Sequence, residues 1–242
     1  MGKFAIEIVE PRVIDTNPLP QQWPNLLQTV ELCGRMAHKS EKAITPISAD
    51  RFVRKVAVRL GHESILEHAQ ISAMVICSRA CSHQIVRHRL AAYTQESMRY
   101  CDYSKGDVPT LQVVCPPSIW ADHVRCANTR VVIDTESDDF TYGSDACMTA
   151  AYMSDPKLKV FIKSCARSYG HYLWLREQGV KAEDARSVLN HATKTEIWMT
   201  YNLRSWLHFF KMRCDSHAQW EIRKIANQMQ DLFKEHLPAI IG

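Results

Sequence analysis

Basic and polar side chains are concentrated between residues 87 and 99 of the sequence. They are three arginines, a histidine, a glutamine and a serine: Arg87, His88, Arg89, Gln95, Ser97 and Arg99. Guanidinium groups donate paired hydrogen bonds in a fixed plane, so this cluster suits a phosphate or a planar heterocycle. Gln84, Arg87 and His88 are predicted to share one helix face, at spacings of three and four residues. The residue types leave a second interpretation open, a solvated helix end whose basic residues complement the helix dipole.

A second polar cluster lies upstream, at residues 62–68. It has the pattern His-Glu-x-x-x-Glu-His and begins at His62. Its two histidines are six residues apart, so they cannot share a helix face as the two ligands of a His-Glu-x-x-His zinc site do. No metal site is predicted here. His62, Glu63 and Ser64 are equally typical of a helix cap that binds no ligand.

The third cluster is in the C-terminal half. Its members are Arg186, Asn202, Arg204, His208 and Arg213. The apolar pattern predicts a single helix over 194–213. At about 100° per residue, Arg204 and His208 lie together on this helix, and Asn202 and Arg213 lie together on a roughly opposite face. One helix would therefore serve two pockets, an arrangement suited to a subunit interface.

These clusters must be positioned by a mixture of strands and helices. Apolar or β-branched runs predict strands at 4–9, 71–77, 111–114 and 130–134. Apolar residues at helical spacing predict helices at 23–37, 48–61, 78–87, 156–178, 183–190, 194–213 and 216–236. Asp215 or Ser216 is expected to cap the last helix. A polar loop is predicted from the end of the 78–87 helix to Tyr103, and a polar connection at 134–144.

Strands and helices do not alternate regularly, so the expected fold class is α+β, in a single domain over residues 1–242. A mixed, mainly antiparallel sheet would pack against long helices. Residues 104–155 have the least clear pattern and are expected to form a variable stretch.

The composition argues against several classes of function. The 242 residues carry a net charge of only +4, which does not indicate a nucleic-acid binder. The eight glycines are too scattered for G-x-G-x-x-G or G-x-x-x-x-G-K-[ST], so neither glycine-rich phosphate loop is present. Nine cysteines without a C-x-x-C pair are typical of reduced thiols in a cytoplasmic protein. No apolar run approaches the roughly 18 residues of a membrane span, so no membrane association is expected.

In three places the sequence resembles the flavin-dependent thymidylate synthases. The hallmark of that family is Arg-His-Arg, seven residues, then Ser, and here Arg87-His88-Arg89 is followed at that distance by Ser97. Arg99 comes two residues later. Residues 62–68 are similar to the family's histidine–glutamate segment, and residues 202–221 to its C-terminal helices. The three matches occur in the family's order and cover most of the chain outside 104–155.

The resemblance implies a reductive methylation in which dUMP becomes dTMP. Methylenetetrahydrofolate would supply the carbon, and FAD reduced by NADPH would supply the hydride. The family is homotetrameric with active sites shared between subunits, so the same is expected of this chain. No cysteine nucleophile is implied. Hydrogen-bond donors would instead stabilise the negative charge that develops on the uracil ring.

Each matching position takes an implied role from the family. Three residues are implied at the catalytic centre. Arg213 would stabilise the ionised uracil, and His62 is associated with access of substrate or folate to the flavin. Ser97 would bind the substrate and would not act as a nucleophile. The implied dUMP-binding residues are Gln84, Arg87, Gln95, Glu96, Ser97, Met98, Arg99, Arg186 and Arg213. The implied FAD-binding residues are Ser64, Arg87, His88, Arg89, Gln95, Asn202, Leu203, Arg204 and His208.

The sequence also departs from the family's pattern. Ala92 stands where serine is frequent, Thr94 where asparagine or serine is frequent, and Gln95 where many members have glutamate, which removes a charge.

Two other functions remain compatible with the sequence. The same flavin and folate chemistry could act on another pyrimidine nucleotide, by dCMP methylation or hydroxymethylation. Alternatively, the chain could be a non-catalytic nucleotide-binding or nucleic-acid-binding relative.

Overall fold

The computed structural model describes residues 3–120, 129–134 and 155–241. The chain folds into two compact units, each built from three stretches of sequence. The first unit consists of Met1–Pro11, Ile76–His83 and Gln95–Glu196. The second unit consists of Arg12–Val75, Gln84–Thr94 and Ile197–Gly242.

Strands and helices are both distributed along the whole described chain. The strands are β1 (Lys3–Ile8), β2 (Arg12–Asn17), β3 (Gln70–Ser78), β4 (Ala91–Gln95), β5 (Thr110–Val113), β6 (Thr129–Asp134) and β7 (Lys194–Asn202). The α-helices are α1 (Trp23–Met36), α2 (Ala49–Val53), α3 (Arg79–Ile85), α4 (Pro156–Glu177), α5 (Ala182–Ala185), α6 (Leu203–Arg213) and α7 (Trp220–His236). Tighter turns of 3-10 helix occur at Pro20–Gln22, Glu41–Ala43, Glu63–His68 and Arg186–Val188, and a wider π-type turn at Arg54–Arg59.

The first unit contains a three-stranded sheet of order β5-β1-β6. Its central strand, β1, pairs in parallel with β5 and antiparallel with β6. Phe4, Ile6 and Ile8 alternate along β1 and are buried in one core with apolar residues of α4. Tyr169 of α4 stands edge-on to Phe4, with 5.4 Å between the ring centroids. The alternation of apolar residues along β1 therefore provides the face of the sheet against which α4 packs.

The second unit contains most of a four-stranded sheet of order β2-β3-β7-β4. The aromatic core beside it comes from three helices, with Trp23 on α1, Trp206 on α6 and Phe233 on α7, all fully buried. The indole of Trp206 donates a 3.0 Å hydrogen bond to the carbonyl of Ile71 in β3. Because the indole is completely buried, this bond satisfies its only donor and fixes α6 to the sheet.

The predicted α+β class is confirmed, with two sheets where one was expected. All four predicted strands are present, and their ends differ from the prediction by one residue at most. The long helices predicted at 23–37 and 156–178 match α1 and α4. The last helix begins at Trp220 with Gln219 as its cap, so the prediction of Asp215 or Ser216 is wrong. The connection predicted at 134–144 lies outside the described residues beyond Asp134, as do 121–128 and 135–154 of the variable stretch.

One predicted helix is largely wrong. Residues 194–213 form the strand β7 followed by the helix α6. Along β7, Thr195, Ile197, Met199 and Tyr201 are buried and their neighbours are partly exposed, which is the two-residue period of a strand. β-Branched and aromatic residues favour the strand conformation. The prediction failed because apolar residues continue from β7 into α6, which obscures the change from a two-residue period to a helical period.

Smaller corrections concern turns and edge strands. The helix predicted at 78–87 ends at Ile85, and the predicted polar loop after it contains the strand β4. The helix predicted at 48–61 is present from Ala49 to Arg59, but it changes from α-helix in α2 to a π-helix at Arg54–Arg59. The edge strand β2 was not predicted, because its residues are mostly exposed and lack an apolar alternation. No helix among the described residues has the length and apolarity needed to cross a bilayer.

Candidate active site

The residues singled out in the sequence occur in both units. The second unit holds His62, Ser64, Gln84, Arg87, His88, Arg89, Asn202, Leu203, Arg204, His208 and Arg213. The first unit holds Gln95, Glu96, Ser97, Met98, Arg99 and Arg186. The candidate residues therefore form two groups, one in each unit.

In the second unit, His88 contacts the last residue of α6. Arg213 Nε donates to His88 Nε2 at 2.9 Å, across a separation of 125 residues. His88 does not lie on a helix, because α3 ends at Ile85 and the chain then turns, with the N–H of His88 bonded to the Ile85 carbonyl at 3.1 Å. The predicted shared helix face of Gln84, Arg87 and His88 is therefore wrong. Arg87 and His88 instead lie in the turn that follows α3.

The His88 imidazole is neutral at physiological pH. Burial, together with the positive charge of Arg213 and the neighbouring His208, lowers the pKa of His88 to about 4. Its Nε2 therefore accepts the Arg213 hydrogen bond, which places the ring proton on Nδ1. The Phe209 ring lies 5.0 Å from the imidazole, centroid to centroid, and contributes to its desolvation. The arginine is thus oriented by a group that does not neutralise its positive charge.

Two tyrosines that the sequence did not single out hold this turn. The Tyr93 hydroxyl lies 2.9 Å from the carbonyl oxygen of Ile85, 2.6 Å from that of His88 and 2.9 Å from the hydroxyl of Tyr201. Burial raises the pKa of both phenols, so both stay protonated and able to donate. The only signal in the sequence that pointed to Tyr93 was its position inside the basic cluster. Nothing in the sequence pairs it with Tyr201.

Arg204 lies on the first turn of α6 and is held differently from Arg213. It pairs with Glu67 at 2.6 Å and with Glu63 at 3.3 Å, and all three side chains are about half exposed. Arg204 and His208 are one turn apart on α6, as predicted. Asn202 precedes the helix as its cap, so the prediction that Asn202 and Arg213 share a face of one helix is wrong.

A cavity of about 400 Å³ lies beside Arg204 within the second unit. Its polar lining includes His62, Ser64 and Arg204, and its apolar lining includes Phe52 and Val56. This volume is within the range of small-molecule sites, and the mixture of apolar wall and few polar groups is typical of them.

In the first unit, Glu183 contacts two of the predicted nucleotide-binding arginines. Its carboxylate pairs with Arg99 Nε at 3.0 Å, and its carbonyl accepts from Arg186 Nε at 2.9 Å. Ser97 accepts the N–H of Arg99 through its Oγ at 3.3 Å. Ser97, Arg99 and Arg186 are therefore connected through a short series of contacts, and Met98 beside them is buried.

The Gln95 amide is oriented by two hydroxyl groups of the first unit. Its Nε2 donates to Ser82 Oγ at 2.9 Å and to Thr195 Oγ1 at 3.1 Å. Ser82 itself donates to the carbonyl of Arg79, so its hydroxyl oxygen must accept from Gln95. The Gln95 amide nitrogen thus donates its hydrogen bonds within the protein. This is the position where many family members have glutamate.

The structure describes seven of the nine cysteines. None of them forms a disulfide. Burial raises the pKa of Cys115 to about 12 and that of Cys165 to about 11, so these thiols stay protonated. Within the same described ranges, no three His, Cys, Asp or Glu side chains are placed to hold a metal ion.

Known proteins are similar to this chain over most of its sequence. The family model described as "thymidylate synthase complementing protein" matches residues 18–239. A flavin-dependent thymidylate synthase of Geobacter sulfurreducens is 34% identical in an alignment of 229 residues that covers 92% of this chain and 83% of that protein. One from Pyrococcus horikoshii is 31% identical over 223 residues, 92% of this chain and 78% of that protein.

A solved structure shows the same fold at lower identity. It is a UMP/dUMP methylase from Streptomyces cacaoi with 5-Br dUMP bound, similar at a TM-score of 0.66 with 20% identity, over 97% of this chain and 94% of that one. The family model covers most of the chain, and the curated relatives exceed 30% identity over most of their own length. The chain therefore belongs to the flavin-dependent thymidylate synthases, a family of flavin-dependent methyltransferases.

Proposed function

We propose that this protein converts dUMP to dTMP by reductive methylation, with methylenetetrahydrofolate as carbon donor and FAD reduced by NADPH as hydride source. The observation that carries the proposal is the Arg213 guanidinium, held by the neutral His88 of the Arg-His-Arg signature. A positive charge that is oriented by a neutral partner stabilises the negative charge that develops on a uracil ring. The names of the related proteins support the same reaction.

Nucleotide binding is assigned to positions that match the family. Arg213 stabilises the ionised uracil, and Ser97, Arg99 and Arg186 bind the nucleotide and its phosphate. Arginine donates two parallel hydrogen bonds to a phosphate, and the contacts through Glu183 support a joint role of Arg99 and Arg186. Gln84, Arg87, Gln95 and Met98 complete the proposed set, Met98 through its backbone N–H because its side chain is buried.

Flavin binding is assigned mainly to the second unit. The donor set fits a dinucleotide, because Arg204, His208 and Ser64 supply hydrogen-bond donors and the 400 Å³ cavity beside Arg204 has an apolar wall. Arg87, His88, Arg89, Asn202 and Leu203 belong to the same proposed set, and Gln95 joins it from the first unit. FAD, when bound, supplies the hydride for the methylation. His62 lines this cavity and would control access of substrate or folate to it.

Activation of the pyrimidine is assigned to electrostatics, without a covalent bond to the enzyme. The raised pKa values of Cys115 and Cys165 argue against these two thiols as nucleophiles, because a thiolate is required to add to the ring. We also propose that the protein acts in the cytoplasm as a homotetramer that shares active sites between subunits.

An assay of dTMP formation tests the proposal. The purified protein, with and without added FAD, is incubated with dUMP, methylenetetrahydrofolate and NADPH. We expect a yellow protein whose flavin spectrum is bleached by NADPH without oxygen, and dTMP as the product. A colourless protein that gains no flavin absorbance with FAD would contradict the proposal. Turnover of dCMP in place of dUMP, or a hydroxymethylated product, would favour the alternative substrates.

A further inference from the structure

Glu96 immediately precedes Ser97 and is fixed within the first unit by its backbone. Its N–H donates to the carbonyl of Glu196 in β7 at 2.8 Å. Its own carbonyl accepts from Arg79 Nη2 in α3 at 3.0 Å. The start of the segment that carries Ser97 and Arg99 is therefore bonded to two separate elements.

The Glu96 carboxylate is engaged on both of its oxygens. Oε1 accepts the hydroxyl of Tyr103 at 2.8 Å. Oε2 accepts the backbone N–H of Glu196 at 3.2 Å and lies 3.4 Å from the ammonium of Lys194. Glu96 and Lys194 are only 17% and 12% exposed, so these bonds form where solvent competes weakly. Burial and the charge of Glu96 raise the pKa of Tyr103, which keeps its hydroxyl a donor.

The other end of the segment is fixed by a second carboxylate. Asp102 accepts from Ser104 Oγ at 2.6 Å, from the Tyr172 hydroxyl at 3.1 Å and from Arg176 Nη2 at 2.8 Å. The hydrogen bonds from Arg176 and Ser104 hold the pKa of Asp102 well below its usual range. Residues 97–101 thus lie between two carboxylates, Glu96 and Asp102, and both are hydrogen-bonded to other residues of the first unit.

Between these two carboxylates the chain forms a tight turn. The Ser97 carbonyl accepts the N–H of Tyr100 at 3.1 Å and that of Cys101 at 2.8 Å. Arg99 lies on this turn, and its side chain is 54% exposed in the pair with Glu183. The turn therefore presents Arg99 outward, while its position depends on the flanking residues.

We propose that Glu96 is a positioning residue for nucleotide binding. Its carboxylate, held by Tyr103, Lys194 and the N–H of Glu196, fixes the turn that carries Ser97 and Arg99. In this inference the carboxylate does not itself contact the nucleotide, which differs from the dUMP-binding role that the family resemblance implies for Glu96. This inference rests on the proposed function, in which Ser97 and Arg99 bind dUMP. Direct contact is disfavoured because a carboxylate beside a phosphate repels it, whereas here both oxygens face donors of the protein.

The test compares Glu96→Ala with Glu196→Gln in the FAD-loaded enzyme. Glu196→Gln is a matched control, because it removes a carboxylate that pairs with the same Lys194 and leaves the backbone N–H that Glu96 uses. For Glu96→Ala we expect the KM and the Kd for dUMP to rise about ten-fold, with kcat changed less than about two-fold. Hydrogen exchange should accelerate at the amides of Tyr100 and Cys101. The control should match the unmodified enzyme in all four measurements.

Tyr103→Phe provides a second variant if Glu96→Ala fails to fold. It removes one of the hydrogen bonds to the carboxylate, so a smaller rise in KM, about three-fold, is expected. An unchanged KM and Kd for dUMP in the folded variant overturns the inference, and so does a fall in kcat with unchanged hydrogen exchange. If the unmodified enzyme forms no dTMP, the proposed function fails separately. Hydrogen exchange and the calorimetric Kd for dUMP still decide the role of Glu96.

Discussion

At the scale of single residues, the two arginines of α6 are held by partners of different charge. Arg204 pairs with the carboxylates of Glu63 and Glu67, whereas Arg213 is bonded to the neutral imidazole of His88. An opposite charge beside a guanidinium weakens its field, and a neutral acceptor orients it without that loss. This difference supports the proposed roles, in which Arg213 stabilises charge and Arg204 binds FAD.

Arg213→Ala tests the first of these roles. We expect the formation of dTMP to fall at least about 100-fold, because an oriented charge at the reacting ring is removed, while FAD remains bound. Turnover and the flavin absorbance of the purified variant are the measurements. Lys211→Ala, which removes an exposed basic residue from the same helix, is the control and should retain activity. Near-normal turnover of Arg213→Ala would show that its assigned role is wrong.

The lowered pKa of His88 predicts a dependence of stability on pH. The folded protein holds this ring with a pKa of about 4 against an ordinary value of 6.5, so the unfolded chain binds more protons between these values. The stability of the protein should therefore be unaffected by His88 above about pH 6.5 and should fall as the pH drops toward 4. After allowance for the half-buried ring, the loss is on the order of 1 to 2 kcal/mol at pH 4.5.

Urea unfolding at pH 7 and pH 4.5 measures this effect. His88→Asn should lose less stability between the two pH values than the unmodified protein does. His171→Gln, which changes an exposed histidine of α4, should lose as much as the unmodified protein. An equal pH dependence in His88→Asn would show that the imidazole is not the group responsible.

At the scale of secondary structure, the junction of β7 and α6 brings a strand of the sheet to the start of the helix that carries both arginines. Asn202 ends the strand and caps the helix, since its Oδ1 accepts the N–H of Ser205 at 2.8 Å. The N–H of Leu203 bonds to the carbonyl of Ala69 at 2.9 Å, so the first helical residue is also tied to the chain just before β3. Local geometry at this junction therefore sets the direction of α6.

Asn202→Ala removes the cap without shortening the helix. We expect the free energy of unfolding to fall by about 1 kcal/mol, the usual value of a lost side-chain cap. Asn202→Asp keeps an acceptor at the same place and favours the positive end of the helix dipole, so it should retain the stability. Chemical denaturation of the protein without FAD measures both. Equal destabilisation by the two substitutions would show that capping is not the contribution of Asn202.

At the scale of the whole molecule, large apolar side chains are exposed on the isolated chain. Ile47 is 89% exposed, Leu90 81% and Tyr100 80%. Leu90 follows the Arg-His-Arg signature and Tyr100 follows Arg99, so two of these residues adjoin the proposed binding residues in the sequence. We expect the proposed homotetramer to bury Leu90 and Tyr100.

The proposed homotetramer predicts a definite mass in solution. Light scattering during size-exclusion chromatography should give about four times the 27.8 kDa of the chain. Leu90→Asp should shift the mass toward smaller species, because a charge would be buried at the interface. Lys211→Ala again serves as control. A monomeric mass for the unmodified, FAD-loaded protein would contradict the shared active sites of the proposal.

How much the sequence predicted differs between elements. The helices α1 and α4 follow from apolar residues at helical spacing, and β1 and β3 from short apolar runs, because these patterns are local. β7 was predicted as helix and β2 was not predicted at all. The conformations of β7 and β2 depend on the strands with which they pair in the four-stranded sheet. Those partner strands are distant in sequence, so a pattern of neighbouring residues does not reveal them.

The sequence by itself determined which chemical groups are available and which family they resemble. It identified the signature from Arg87 to Arg99 and Arg213, and it excluded a glycine-rich phosphate loop, because these depend only on residue types and short spacings. The tertiary structure decided that His88 is neutral and bonded to Arg213 and that the carboxylate of Glu96 faces inward. Protonation, orientation and contact across 125 residues depend on burial and packing, and these exist only in the folded chain.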